Sequence, residues 1–303
     1  MGKKKLSYVS IMGGIGDQIF QFSFANYLRN KINSEVILDI SYYQNILNYN
    51  KFKFRLKNLS KTENFKYETQ IFRFNYKYLS YLRILELFGV SKYIPIIYSL
   101  FFNFKINHFI YEYWKTKENY QIMDNSYYFG YWHKLKYAKP IKQTIQNNLF
   151  KPILKKKKLK NFIQNKLNKK NVVSIHIRGG DFKILKSHNV LSSSYYNDSI
   201  NFYSKKLKDP IFHIFTNDML TARKILKDKS KKKNFIFIKD LKLNDIEEFS
   251  LFSEYKYAII ANSTFSLMSS YLSHKRLLSV APKVWLKGKA LDKEKKFKNL
   301  IFI

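Results

Sequence analysis

His176-Ile-Arg-Gly-Gly-Asp-Phe182 follows directly on the apolar run Val172-Val173-Ser174-Ile175. A buried strand that ends in this way delivers polar groups to a loop and not to a core. Arg178 is a permanent cation whose planar fork fits a phosphate. Gly179 and Gly180 let the main chain approach whatever the arginine holds. Open α/β sheets bind ligands at the carboxyl ends of their strands. The expectation is a phosphate-bearing ligand at this loop.

Three further segments pair polar residues with the end of an apolar run. Gly13-Gly-Ile-Gly-Asp-Gln18 joins a strand pattern to a helical one. It lacks the G-x-G-x-x-G spacing, and Gly13, Gly14 and Gly16 alone read equally well as a tight βα turn. Asp17 and Gln18 fall where the helix begins, at the same sheet edge as the other loops. Thr216-Asn-Asp218 also ends an apolar run. Asp218 can cap the next helix, bind a ribose or base edge, or do both. In Ala261-Asn-Ser-Thr-Phe-Ser266, Ser263 or Thr264 caps a helix. The same amides and hydroxyls suit an anion, which the helix dipole favours by about 0.3–1 kcal/mol at exposed sites.

No Asp-x-Asp pair occurs, and the 6 His show no close ligand spacing. No metal site is expected. A bound diphosphate would be neutralised by Arg, Lys and helix N-termini.

The elements that must position these residues follow from periodicity. Leu6–Met12 reads as a first strand and Glu35–Asp39 as a second. Between them lies a helix with Phe20, Phe24, Tyr27 and Leu28 on one face. This strand–Gly loop–helix–strand order opens a Rossmann-like layer. Residues 60–112 read as helices with loops, Gly130-Tyr-Trp132 as a close approach, and Tyr137–Phe150 as a helix. Lys155–Lys158 and Lys169-Lys170 surround a short helical pattern and must be solvated. A domain boundary is placed near 150, giving domains 1–150 and 151–303. The second half alternates strands (Val172–Ile177, Ile211–Thr216, Asn234–Ile238, Tyr257–Ala261, Leu277–Ala281) with helices (Tyr195–Leu207, Leu220–Lys227, Ile246–Glu254, Phe265–Leu272). Lys227–Lys233 reads as a solvated turn. That alternation means a parallel sheet covered on both faces.

With 303 residues, 46% of them hydrophobic, the chain can build a real core. The absence of Cys removes disulfides, thiolate catalysis and Cys-based zinc sites. Leu6–Met12 is too short for a signal peptide and Tyr93–Phe104 too short to span a bilayer, so a cytoplasmic or peripheral protein is expected. The net charge of +35 attracts polyanions, whether nucleic acid, an anionic leaflet or anionic substrates, although compositional drift would give the same excess. The aromatic residues follow core periodicity and no nucleic-acid motif is present, so no specific nucleic-acid partner is expected. Tyr93–Phe104, with Phe72, Arg73, Phe74, Lys77, Tyr78 and Arg83 nearby, reads either as a helical core element or as a dock for an anionic inner leaflet beside a lipid-linked acceptor.

Taken in order, these segments resemble the α-1,2-fucosyltransferases of glycosyltransferase family 11. The family pattern G-G-L-G-N-Q-x-F-Q-Y-A-F corresponds to Gly13–Phe24, and G-Y-W-Q-x-x-x-Y to Gly130–Tyr137. H-x-R-R-G-D-Y corresponds to His176–Phe182, S-N-S-T-F-S-W-W to Ala261–Met268, and A-P-x-x-W to Ala281–Trp285. The resemblance implies an α/β, GT-B-like fold, with two Rossmann-like domains facing a cleft. It also implies metal-independent, inverting transfer of fucose from GDP-β-L-fucose to O2 of a terminal galactose in a cell-surface glycan, with no cofactor beyond the GDP-fucose donor. A transferase with another donor or linkage on the same scaffold is the nearer alternative, and a basic nucleic-acid-binding protein, suggested by the charge of +35, the more distant one.

Under this resemblance Arg178 grips the β-phosphate and stabilises the leaving GDP. His176 and Asp218 touch the guanosine end. Ser263, Thr264 and Phe265 hold phosphate oxygens, and the Gly13–Gln18 loop, with Gly13, Gly14 and Gly16, faces the fucose from the other domain. Four departures stand out. Gly179 replaces a second Arg, Leu267-Met268 replace two Trp, Phe182 replaces Tyr, and Asp17 replaces Asn. The last exchange is chemical: a carboxylate can take the acceptor hydroxyl proton, which is worth about 10²–10⁴-fold in rate. Asp17 is therefore either the base, a group that orients the acceptor, or a carboxylate favourable to the helix dipole.

Overall fold

The computed structural model describes residues 5–44, 52–69, 106–112, 121–168, 171–183, 190–286, 289–291 and 295–303. Tyr93–Phe104, the basic and aromatic residues from Phe72 to Arg83, and Lys169-Lys170 lie outside the described residues. The chain forms two compact units, Met1–Ile141 and Lys142–Ile303.

The first unit is built on strands β1 (Leu6–Ser10), β2 (Glu35–Asp39), β3 (Lys66–Glu68), β4 (His108–Tyr111) and β5 (Ser126–Phe129). They form one parallel sheet in the order β3-β2-β1-β5-β4. Helix α1 (Ile15–Arg29) joins β1 to β2 and buries Ile19, Phe20, Phe22, Phe24 and Leu28. Gly14 enters it with extended backbone, and Arg29 in the last turn complements the helix dipole. A short helix α2 (Lys57–Thr62) precedes β3, and α3 (Leu135–Ala138) follows β5.

Trp132 is fully buried and stacks on Phe24 with ring centroids 3.8 Å apart and planes 4° from parallel. Such a pair contributes about 0.5–1.5 kcal/mol beyond its area. The described parts of 60–112 therefore include two edge strands, β3 and β4, as well as helix. Neither has the length or alternation to announce itself, and each is held by the neighbour it pairs with. The helix expected over Tyr137–Phe150 is broken. Pro140 lacks an amide donor, and the path runs from α3 through α4 (Lys142–Ile145) and a π-helical turn to α5 (Lys151–Leu154).

The second unit adds α6 (Lys157–Phe162), β6 (Val172–Ile177), α7 (Ser193–Lys206), β7 (Ile211–Thr216), α8 (Met219–Leu226), β8 (Phe235–Phe237), α9 (Asp245–Phe252), β9 (Tyr257–Ile259), α10 (Thr264–Leu272), β10 (Leu278–Ala281), a small hairpin of β11 (Val284–Leu286) with β12 (Lys289–Ala290), and β13 (Leu300–Phe302). Six of its strands make a parallel sheet in the order β13-β10-β9-β6-β7-β8. Every residue of β6 is buried, as a strand covered on both faces requires.

A tyrosine stripe on α7 seats that helix. The hydroxyl of Tyr195 donates to the Ile260 and Val280 carbonyls, that of Tyr196 to His176 O, and that of Tyr203 to Ala258 O and Leu278 O. These aromatic residues are core material with their polar ends satisfied. Among the described residues, no helix is long and apolar enough to cross a membrane.

Strand order fixes where ligands can go. In the first sheet the chain leaves β1 toward β2 and β3, and the later β5 and β4 lie on the other side of β1. In the second it leaves β6 toward β7 and β8, with β9, β10 and β13 on the other side. Each sheet therefore has a topological switch point at its carboxyl edge, between β1 and β5 in one and between β6 and β9 in the other.

Candidate active site

At the first switch point the loop after β1 leads into the first turn of α1, which carries Asp17, and the loop after β5 carries His133. Asp17 Oδ1 lies 2.9 Å from His133 Nε2, and the two side chains are 20% and 24% exposed. Gly13 makes the approach possible. Its φ is +77°, and a Cβ there would sit 2.8 Å from Asp17 Oδ2. The His133 ring touches Phe20 and Tyr131, with centroids 4.9 Å and 5.2 Å away. Burial, and then the Asp17 charge, push the Tyr42 phenol up.

Two glutamines of α1 hold this edge together. Gln21 accepts from Met12 N at 2.9 Å and donates to Gly130 O at 3.1 Å, so it bridges the loops after β1 and β5. Gln18 donates to Gly13 O and Lys53 O and accepts from Arg55 N. The loop after β5 is tightly seated as well. A Cβ on Gly130 would come 2.6 Å from Glu112 Cβ, and Trp132 N donates to the Glu112 carboxylate.

At the second switch point the loop after β6 carries Arg178, and the loop after β9 ends on Ser263 and runs into Thr264 and Phe265 in the first turn of α10. Ser263 caps α10 by accepting from Phe265 N at 3.4 Å. The guanidinium of Arg178 lies 5.3 Å over the Phe182 ring. His176 is buried behind this pair. Its Nδ1 is 2.9 Å from Ser266 Oγ, and its ring lies 4.9 Å from Phe265. Burial, reinforced by the Arg178 charge, pushes His176 down to about 3, so its imidazole is neutral at physiological pH.

Asp218 is the N-cap of α8. It accepts from Thr221 N at 3.0 Å, Thr221 Oγ1 at 2.7 Å and Gly180 N at 3.1 Å. Asn217 Oδ1 accepts from Gly179 N at 3.0 Å. Two amides of the arginine loop therefore point at the neighbouring loop. Among the described residues, no group of three or more His, Asp or Glu is placed to hold a metal ion.

The structure thus gathers Asp17 with Gly13, Gly14 and Gly16 on one unit. It gathers Arg178 with His176, Asp218, Ser263, Thr264 and Phe265 on the other. His133 is the residue that sequence reasoning passed over. It stands where the family pattern G-Y-W-Q has Gln, a second exchange of an amide for an ionisable group to set beside Asp17.

Two parallel α/β units, each with its polar loops at the carboxyl edge of its sheet, make a GT-B-like glycosyltransferase fold. The fucosyltransferase NodZ from Bradyrhizobium is similar in fold. Its TM-score is 0.50 at 10% identity, over 89% of this chain and 93% of that one. Residues 7–301 match glycosyl transferase family 11, and the chain belongs to that family. A relative named alpha-1,2-colitosyltransferase, from Escherichia coli, is 26% identical over 296 residues, covering 93% of each chain.

Proposed function

We propose that this glycosyltransferase moves a 6-deoxy sugar from a guanosine diphosphate donor to a glycan hydroxyl, with inversion at the anomeric carbon. The donor would be GDP-β-L-fucose, and the acceptor O2 of a terminal galactose. One observation carries the reading. Arg178 and the capped start of α10 come from the two loops that flank the switch point of the second sheet.

In this reading the guanidinium grips the β-phosphate, and the first-turn amides of α10 with Ser263 and Thr264 take further phosphate oxygens. Charge that develops on the leaving GDP meets a fixed cation and a helix N-terminus, with no divalent ion required. Phe265 forms the wall of that cradle. His176 holds Ser266, and with it the turn that carries Ser263–Phe265. Asp218 fixes the arginine loop from the side and presents the guanosine end. The unit that carries Gly13, Gly14, Gly16 and Asp17 receives the sugar and the acceptor. A lipid-linked acceptor at the inner membrane face fits the charge of +35.

A second reading, the same transfer with another 6-deoxy sugar, is favoured by the relative named as a colitosyltransferase and by Gly179 in place of a second arginine. Colitose is L-fucose without its 3-hydroxyl. A site built to hydrogen-bond that hydroxyl discriminates steeply against a donor that lacks it. Calorimetric titration with a panel of nucleotide sugars, followed by NMR of the product formed on simple galactosides, separates the readings. Tight binding of GDP-fucose and a new α-1,2 linkage are expected. Preference for GDP-colitose would select the second reading, and preference for a uridine diphosphate sugar would overturn both.

A further inference from the structure

Asp17 and His133 lie 116 residues apart in the chain, yet they meet across the switch point of the first sheet at 2.9 Å. An ionised carboxylate only accepts hydrogen bonds, so His133 Nε2 must be the donor. In a neutral imidazole the other nitrogen, Nδ1, is then unprotonated and carries the free lone pair. No described residue hydrogen-bonds to Nδ1, and a quarter of the side chain is open to solvent, 24%. Phe20 and Tyr131 fix the ring by contact, and Gly13 fixes the carboxylate. A base held by a carboxylate at one nitrogen and open at the other is the arrangement that removes a proton from a hydroxyl.

We infer that Asp17 and His133 act as a dyad, with His133 Nδ1 as the general base for the acceptor hydroxyl and Asp17 as its positioning residue. The inference rests on the transferase reading above and deepens it. As the acceptor oxygen bonds to the anomeric carbon, the bond from that carbon to the β-phosphate oxygen breaks and its electron pair leaves with GDP. The acceptor proton passes to Nδ1. Asp17 keeps the proton on Nε2 and stabilises the imidazolium that forms. The exposed ring of Tyr131, 43% accessible and stacked on His133, offers the acceptor sugar an apolar wall beside the base.

The test uses the full chain and the variants His133→Gln, His133→Ala and Asp17→Asn. Three readouts are taken: GDP binding by calorimetry, turnover with saturating donor and acceptor, and the His133 tautomer by ¹⁵N NMR. Wild type is expected to show the proton on Nε2. In Asp17→Asn the amide can donate to Nε2, so the proton is expected to move to Nδ1 and kcat to fall. Both His133 variants are expected to lose about 10²–10⁴-fold in kcat. GDP affinity should be unchanged throughout, and added imidazole should partly restore His133→Ala.

His133→Gln or His133→Ala at wild-type kcat would overturn the dyad, as would a tautomer indifferent to Asp17→Asn, while the donor reading stood. Failure of the wild-type chain to bind GDP would overturn the donor reading, and the catalytic role with it, whatever the tautomer. A His133→Gln chain that fails to melt cooperatively leaves the decision to Asp17→Asn, whose tautomer and kcat must then change together.

Discussion

Gly179 lies so close to Asp218 that a Cβ on the glycine would come 2.9 Å from Asp218 Cβ and 3.0 Å from Thr221 Cβ. Its amide donates to Asn217 and the next amide to Asp218. The position is thus a packed contact between the loops after β6 and β7, not a vacancy left by a lost cation. Gly179→Arg, which restores the family residue, is expected to displace Asp218 and lower stability by about 1–3 kcal/mol, the range for overpacking. It should weaken GDP binding, not strengthen it. Denaturant unfolding and GDP titration of that variant check both outcomes.

Gln21 ties Met12 N to Gly130 O, and so ties the loop that leads into Asp17 to the loop of His133. Gln21→Ala leaves a buried amide and a buried carbonyl without their partner. Each such group costs about 1–3 kcal/mol. The variant should be destabilised by at least one such increment, and its turnover should fall because the two loops lose their common tether. GDP affinity, which the proposed function assigns to the other unit, should stay at the wild-type value. Melting curves and steady-state kinetics measured on one preparation separate the effects.

His213 supplies a pH prediction away from either switch point. It is buried on β7 against Tyr255, with Nδ1 2.8 Å from the phenol oxygen. Burial, and then the charge of Lys166, push it down to about 4. An unfolded histidine titrates near 6.5. The folded value is depressed, so the unfolded chain binds the extra proton between the two values. Stability from this group is therefore full above about 6.5 and is lost as pH falls toward about 4. His213→Asn can keep a hydrogen bond to Tyr255 but does not titrate. Its loss of stability between neutral pH and pH 5 should be smaller than wild type's by about 2 kcal/mol. Urea unfolding at the two pH values gives the comparison. Asp39, pushed up to about 6 by burial, and Glu248, pushed up to about 7 by burial and then by Asp245, act in the opposite direction and cancel in the difference.

Much of this was legible in the residues. Val172–Ile177 and Ile211–Thr216 are apolar runs closed by polar residues, and the strands take those bounds. Lys66–Glu68 and Ser126–Phe129 escaped notice because three or four residues cannot display a period. Their strand character comes from the neighbours they pair with. Asp17 was visible as a charge where an amide is usual. Its partner was not, because only the order β1-β5 in the sheet brings residue 133 beside residue 17. His176 shows the reverse case. The sequence presents it as a polar residue at the end of a strand, with a ligand contact implied, and the structure buries it behind Arg178 against Ser266. Residue type gave the chemistry of that loop, but strand pleat decided which side chain faced out.

The central claim is that Arg178 and the start of α10 hold a guanosine diphosphate without divalent ions. Calorimetric titration of GDP in EDTA, with wild type and with Arg178→Ala, tests it most directly. The wild-type chain should bind one GDP per chain. The variant should melt as wild type does and lose about 1.5–3 kcal/mol of binding, the worth of a hydrogen bond to a charged group. Equal affinity in the two proteins, or wild-type binding that needs added magnesium or manganese, would contradict it.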